Sequence, residues 1–152
     1  MTYRKAQQSD LPQIIALLAN DKLGNKREQY EDPLPDCYYK AFAAIDQDPN
    51  QELIVIENTD QTIIGTLQLS FIQYLTYRGG IRAQIEAVRI HEDMRGQGLG
   101  KQLFQWAIQR AKERGAHLLQ LTTDKQRPEA VLFYKDLGFI ASHEGMKLHV
   151  HT

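Results

Sequence analysis

The segment Arg95-Gly96-Gln97-Gly98-Leu99-Gly100 has the residue types and spacing expected of an anion-binding turn. It follows a predicted strand that ends near Ile90 and precedes the most regular amphipathic pattern in the chain. Glycines let the backbone approach a ligand closely, and the free amides of a helix start favour a negative charge. The segment therefore predicts a phosphate site to which Lys101 contributes, with a plain glycine-rich surface turn as the alternative.

Two well-known glycine motifs do not fit this segment. A P-loop would need glycine at position 95 and serine or threonine at position 102, where the chain has Arg95 and Gln102. The dinucleotide-binding fingerprint would need a third glycine at position 101, where the chain has Lys101. The segment therefore favours neither an ATPase nor a dinucleotide-binding protein.

Glu86 is the side chain near this turn that is best suited to proton transfer. Strict alternation along its predicted strand places it on one face with Val88 and Ile90, an unusual setting for a carboxylate. A cleft at that point, or a β-bulge that turns the side chain, would account for it. The alternative is a solvated glutamate, or one that is paired with Arg82 or Arg89.

Apolar periodicity predicts the helices and strands that position these groups. Ser9-Asp10-Leu11-Pro12 is typical of a helix start, because it offers capping oxygens and a proline in the first turn. Their order indicates a mixed α/β fold with a central, largely antiparallel sheet flanked by helices. The other predicted elements are helices over 38–45, 99–111 and 128–137, strands over 3–6, 53–56, 63–72, 81–90 and 117–123, and a last hairpin around Glu144-Gly145.

Composition limits the class of protein. The 152 residues are 42% apolar and 24% charged, which predicts one compact domain spanning residues 1–152. The net charge of -1 argues against a nucleic-acid partner. With Cys37 as the only cysteine, and neither a signal peptide nor a membrane segment in the sequence, we expect a cytoplasmic protein with no membrane partner. The five histidines form no ligand pattern, so no metal is predicted.

Three segments together resemble the GNAT superfamily of N-acetyltransferases. The pattern Arg-x-x-Gly-x-Gly of residues 95–100 is similar to the motif with which that superfamily binds the pyrophosphate of acetyl-CoA. Ile85-Glu86-Ala87-Val88-Arg89-Ile90 resembles its signature strand, and Phe133-Tyr134-Lys135-Asp136-Leu137-Gly138-Phe139 resembles its later helix-to-strand motif. The predicted order of elements is also that of the superfamily, so the resemblance covers nearly the whole chain.

The resemblance implies an enzyme that transfers the acetyl group of acetyl-CoA to a primary amine of a small molecule, by direct attack in a ternary complex. In such an enzyme Tyr134 is the general acid that protonates the departing sulfur, and Glu86 is the candidate base. A backbone amide near Val88 polarises the carbonyl, and the backbone from Val88 through Arg89 to Ile90 pairs with the pantetheine arm. The alternative for Tyr134 is simple aromatic packing.

One position departs from the family pattern, because Arg127 stands where the family often has asparagine, three residues before Ala130. We expect Arg127 to pair with a phosphate of CoA instead. The resemblance places the acceptor pocket along residues 20–42, where carboxylates lie among tyrosines. Such a composition suits a cationic amine or plain exposure to solvent. These carboxylates are Glu28, Glu31, Asp32 and Asp36.

The sequence is also compatible with two other functions. One is acetylation of a protein lysine or a protein N-terminus, and the other is a non-catalytic acyl-CoA-binding module. The resemblance also implies a homodimer, although no residue in the sequence demonstrates one.

Overall fold

The computed structural model describes residues 1–151 and contains a five-stranded sheet with the spatial order β1-β2-β3-β4-β5. The first four strands pair antiparallel, and β5 pairs parallel to β4. The predicted mixed α/β fold with a largely antiparallel sheet is therefore confirmed. The strands are β1 (Thr2–Lys5), β2 (Gln51–Glu57), β3 (Ile63–Gln73), β4 (Ile81–Ile90) and β5 (Leu118–Gln120).

The helices lie at the predicted places, with two short additions. Pro12 occupies the first turn of α1, where its missing N–H costs no hydrogen bond. Gly115, in the left-handed region at φ +77°, follows the end of α5. None of the helices in residues 1–151 combines the length and apolar character needed to cross a bilayer. The helices are α1 (Leu11–Ala19), α2 (Gly24–Arg27), α3 (Asp36–Gln47), α4 (Thr76–Gly79), α5 (Leu99–Glu113) and α6 (Pro128–Asp136).

The sheet separates two apolar clusters, because successive side chains of a strand point to opposite faces. Ile54 and Ile56 of β2 face one cluster, which includes Leu103 and Phe104 of α5. Val55, between them, faces the other cluster together with side chains of α1 and α3. Helices therefore cover both faces, and the amphipathic stripe predicted for α5 is buried against the sheet.

The C-terminal segment differs from its prediction. The hairpin expected around Glu144-Gly145 is wrong, since residues 139–151 contain no strand. Met146 and Leu148 alternate as in a strand but are 91% and 86% exposed. A two-stranded hairpin has little stability by itself, and this segment forms no backbone ladder with the described part of the sheet. The alternation of apolar and polar residues was therefore not sufficient to predict a strand in this segment.

Candidate active site

A cleft of about 300 Å³ lies at the glycine-rich turn, as the sequence predicted for a ligand site. Gly96 and Gly98 adopt left-handed conformations at φ +76° and +78°, and a Cβ atom at either would meet no atom within 4 Å. Their glycine character is thus required by backbone conformation and not by lack of space. The residues lining the cleft are Ile90, Met94, Arg95, Gly96, Gly98, Leu99, Gly100, Lys101 and Phe133.

The Arg95 amide donates to the Glu92 carbonyl at 3.4 Å, but the amides that follow it in this turn have no acceptor within residues 1–151. Gly98 is the N-cap of α5, and the Gln102 amide is the first to donate back, to the Gly98 carbonyl at 3.2 Å. The amides from Gly96 to Lys101 donate to no carbonyl or side chain of the described chain. The positive end of the helix dipole adds to this concentration of donors. The site therefore has the electrostatics of an anion cradle.

A β-bulge interrupts β4 beside this cleft. Gln68 pairs with Glu86 and Thr66 pairs with Arg89, so β4 carries one extra residue between these pairs. Ala87 has φ +53°, which is rare for a residue with a side chain. The bulge reverses the alternation, so Glu86 is exposed while Val88 and Ile90 contact the α5-side cluster. The prediction that Glu86 lies on the same face as Val88 and Ile90 is therefore wrong. The β-bulge, which was one of the two explanations offered for its setting, is present.

The outer edge of β4 is free next to the bulge. β5 pairs with β4 only over Arg82 to Gln84. Beyond Gln84, no strand in the described chain covers that edge of β4, and its free portion ends at the cleft, which Ile90 lines. An extended ligand can add to such an edge by backbone hydrogen bonding.

One hydrogen bond from a neighbouring amide side chain reaches the Glu86 carboxylate. The Gln84 Nε2 atom donates to Glu86 Oε1 at 3.2 Å, and the Gln120 Nε2 atom donates to Gln84 Oε1 at 2.5 Å. No ion pair to Glu86 occurs within residues 1–151: Arg89 faces Asp21, and the Arg82 guanidinium lies over the Tyr74 ring at 5.4 Å. Glu86 is thus an oriented and accessible carboxylate.

Tyr134 lies on α6 with its ring in an aromatic cluster. Its centroid is 5.4 Å from that of Phe104 and 6.0 Å from that of Phe139, both in edge-to-face geometry. Burial raises the pKa of the Tyr134 phenol, and the charges of Arg127 and Arg89 oppose that rise. The phenol is therefore protonated at neutral pH, and its hydroxyl donates to no residue of the described chain. Aromatic packing and proton donation are compatible here.

Comparison with known proteins decides the family. The sequence model of the "Acetyltransferase (GNAT) family" matches residues 20–139, well over half of the chain. The chain belongs to this family. One curated relative is an aminoalkylphosphonate N-acetyltransferase of Salmonella typhimurium, which is 29% identical over 92% of this chain and 85% of the relative. Another is an L-methionine sulfoximine/L-methionine sulfone acetyltransferase of Pseudomonas paraeruginosa, which is 28% identical over 90% of this chain and 78% of the relative.

A solved structure from Bacillus halodurans C-125 matches this acetyltransferase with a TM-score of 0.93 and 59% sequence identity. The match covers 97% of this chain and 98% of that chain. The protein in that structure is described as a transcriptional regulator. The structural match supports the fold, and the family model and the two curated relatives support the enzyme class of this acetyltransferase.

A charged cluster that the sequence did not reveal lies near Tyr134 in this acetyltransferase. Asp21, which follows α1, is shared by two arginines: Arg89 Nε lies 2.8 Å from its Oδ2 atom, and Arg127 Nη2 lies 3.2 Å from its Oδ1 atom. Burial opposes ionisation of Asp21, but the amides of Gly24 and Leu23 and the two arginines outweigh it and lower its pKa to about 2. Arg127 therefore contacts Asp21 and does not line the glycine-turn cleft, while its predicted contact with CoA stays a prediction.

The acidic segment contributes less to the site of this acetyltransferase than its composition indicated. Glu28 accepts a hydrogen bond from the Tyr38 hydroxyl at 3.1 Å, and Glu31 accepts one from the Gln29 side chain at 2.6 Å. Asp32 and Asp36 are exposed. Solvent exposure, the alternative left open by the sequence, therefore describes Glu31, Asp32 and Asp36 better than a cation-binding pocket does.

Proposed function

We propose that this chain transfers the acetyl group of acetyl-CoA to the primary amine of a small molecule, by direct attack in a ternary complex. The observation that carries the proposal is the uninterrupted run of unpaired amides from Gly96 to Lys101, open to the cleft. Family membership supports acetyl-CoA as the donor. The two curated relatives are named for small amines, which supports a small-molecule acceptor.

The donor occupies two adjoining surfaces in this proposal. The diphosphate of CoA accepts hydrogen bonds from the amides between Gly96 and Lys101, with Arg95 and the Lys101 ammonium as further cationic partners. The pantetheine arm pairs with the free edge of β4 from Val88 through Ile90. The thioester then lies beside the bulge, where the Val88 amide is the proposed donor to the carbonyl oxygen.

The acceptor must lose a proton before it attacks, because an alkyl ammonium with a pKa near 10 has no free electron pair. Glu86 takes that proton, directly or through a water molecule. The neutral nitrogen attacks the carbonyl carbon, and the C–N bond forms as the C–S bond breaks. Tyr134 donates its proton to the departing sulfur, so CoA leaves as the thiol. Glu86 then releases the first proton to solvent, the amide nitrogen loses its second proton to solvent, and solvent reprotonates the Tyr134 phenolate.

Two features support these roles. The raised pKa of Tyr134 keeps the phenol protonated, as a general acid requires. The nearby charges of Arg127 and Arg89 stabilise the phenolate that exists until it is reprotonated. For Glu86, the hydrogen-bonded row from Gln120 through Gln84 fixes the position of the carboxylate.

A panel of amines with detection of free thiol tests the proposal. We expect acetyl-CoA to release thiol only when an accepted amine is present, and Glu86→Gln to lower kcat by roughly 100-fold or more, as loss of a general base does. The matched control is Glu31→Gln, an exposed carboxylate of the acidic segment. Thiol release that never depends on an amine would contradict the proposal and favour a non-catalytic acyl-CoA-binding module.

A regulatory role is the second candidate function, and the description of the 59% identical protein from Bacillus halodurans favours it. Such a role works either through DNA contact or through acetylation of a regulatory protein. A gel-shift experiment with genomic fragments tests the first route, and mass spectrometry of an extract incubated with labelled acetyl-CoA tests the second. Label confined to small molecules, with no shifted DNA, would exclude both.

A further inference from the structure

The charged cluster beside Tyr134 has more positive than negative charge. The geometry points to Arg89 and Arg127 as the binding site for an anionic group of the acceptor, so that the substrate class is a primary amine that also carries a carboxylate or phosphonate. This inference rests on the proposed acetyl transfer and names the acceptor class of the same site. Its basis is the pairing of two guanidinium groups with one carboxylate, Asp21.

The two arginines have donors to spare. Each guanidinium presents five N–H donors. Arg89 directs one Nη1 donor to the Val88 carbonyl at 2.8 Å, and its Nε atom lies close to Asp21 without a well-aligned N–H. Arg127 directs one bond to Asp21 at 3.2 Å. The other guanidinium donors meet no acceptor within residues 1–151.

Burial makes this surplus charge costly unless an anion is bound. The Arg89 side chain is 14% exposed, and burial lowers its pKa; Asp21 opposes this change, but the charges of Arg127 and Arg27 add to it. Both effects mean that the cluster would be more stable with a second anion. Arg127 is 35% exposed, so a ligand can reach the cluster from the side on which Arg127 lies.

The position of the cluster suits an acceptor. Arg127 is the N-cap residue of α6, the helix that carries Tyr134, and the charges of Arg127 and Arg89 both act on the Tyr134 phenol. Arg89 alternates with Val88 and Ile90 and therefore lies on the sheet face of Glu86. An acceptor whose anion meets the arginines can thus direct its amine toward the Glu86 carboxylate. The opposite charges of the two ends set its orientation.

Matched acceptors test this inference. We expect kcat/KM to be roughly 10- to 100-fold higher for 2-aminoethylphosphonate than for ethylamine, the range that charge-assisted hydrogen bonds provide. Arg127→Ala should remove most of this preference by lowering kcat/KM for 2-aminoethylphosphonate much more than for ethylamine, and Arg127→Lys should retain part of it. The matched control is Lys26→Ala, which removes an exposed positive charge of α2. Equal losses with both acceptors would overturn the inference.

Asp21→Asn separates ligand binding from a structural role. Asparagine can still accept from the Leu23 and Gly24 amides, which Asp21 Oδ1 does at 2.7 Å. If the arginines only hold the fold, the change should weaken activity with every acceptor. If they bind the acceptor anion, removing the competing charge should lower KM for 2-aminoethylphosphonate by several-fold. An unchanged or higher KM with that acceptor would overturn the inference.

A direct binding measurement distinguishes failure of this inference from failure of the proposed function. If the protein supplied with acetyl-CoA turns over no amine, acetyl transfer is wrong, and saturation-transfer NMR with 2-aminoethylphosphonate still decides whether the arginines bind an anion. Binding that Arg127→Ala abolishes supports the site. If ethylamine is acetylated as fast as 2-aminoethylphosphonate, acetyl transfer stands and the anion site is wrong.

Discussion

Residues 1–151 contain two clusters in which a pair of arginines shares one carboxylate, and they differ in how many donors remain free. At the far end of α5, Glu52 is only 2% exposed and binds Arg110 through both oxygens, at 2.8 and 2.7 Å, and Arg114 through one. Arg110 also donates to Glu113, and Arg114 donates to the Pro49 carbonyl. Five hydrogen bonds from the two guanidinium groups hold this cluster together, and it connects β2 to α5.

The Asp21 cluster uses the same residue types with less complete pairing. Asp21 is 15% exposed, and neither Arg89 nor Arg127 forms the two-bond contact that Arg110 makes with Glu52. The comparison shows that satisfaction of donors, and not the presence of arginine, distinguishes a structural ion cluster from one that can take a ligand. The Glu52 cluster should therefore affect stability, and the Asp21 cluster should affect activity.

The largest effect is expected at Tyr134. The arginines of the Asp21 cluster lower the pKa of its phenol, whereas those of the Glu52 cluster do not affect it. Tyr134→Phe keeps the ring against Phe104 and Phe139 but removes the proton donor, so kcat should fall by roughly 100- to 1000-fold. Steady-state kinetics with free-thiol detection measure it, with acetyl-CoA affinity and melting temperature as controls. An unaltered kcat would remove Tyr134 from the chemistry.

The next effect is a loss of stability at the Glu52 cluster. Glu52→Gln removes the buried charge that Arg110 and Arg114 share, and should lower the free energy of unfolding by about 3 kcal/mol. That corresponds to a fall of roughly 6 to 12 °C in melting temperature for a chain of this size. Urea unfolding measures the loss. The rate per folded molecule should stay unchanged, and a comparable loss of kcat at unchanged stability would break the comparison.

A smaller effect separates the two clusters by geometry alone. Lysine cannot make the two-bond contact of arginine, so Arg110→Lys should cost about 1 kcal/mol of stability. Arg127→Lys gives up only one bond to Asp21 and should change stability by less than about 0.5 kcal/mol. Unfolding of both variants under one condition tests the difference, and equal losses would show that the two clusters are structurally equivalent.

A last effect, which appears only on acidification, is the pH dependence of Asp21. Its folded pKa of about 2 lies below the unfolded value near 4, so its carboxylate stabilises the fold above pH 4 and that contribution disappears as the pH falls toward 2. The difference in unfolding free energy between the wild type and Asp21→Asn should therefore shrink across this interval. Urea titrations at pH 5 and pH 2.5 measure it. A constant difference would mean that the charge of Asp21 does not stabilise the fold.

Local sequence signals were sufficient for much of the fold and for the position of the glycine-rich turn. β4 spans the predicted residues 81–90, and α5 begins at the predicted Leu99, because periodicity and glycine placement are local properties. The Asp21 cluster had no such signal, since Arg127 and Asp21 are 106 residues apart. The bulge residue is an alanine, a type that seldom takes positive φ. Its position therefore depends on tertiary structure.

The most direct test of acetyl-CoA binding at the glycine turn is calorimetric titration of CoA into the wild type, Gly98→Ala and Gly79→Ala. Gly98 and Gly79 are both left-handed with open space around them, so alanine strains the backbone equally at the two positions. We predict that the wild type and Gly79→Ala bind CoA alike and that Gly98→Ala binds it several-fold more weakly. Absence of binding heat with folded wild-type protein, or equal weakening by both variants, would contradict a CoA diphosphate held by the amides of residues 96–101.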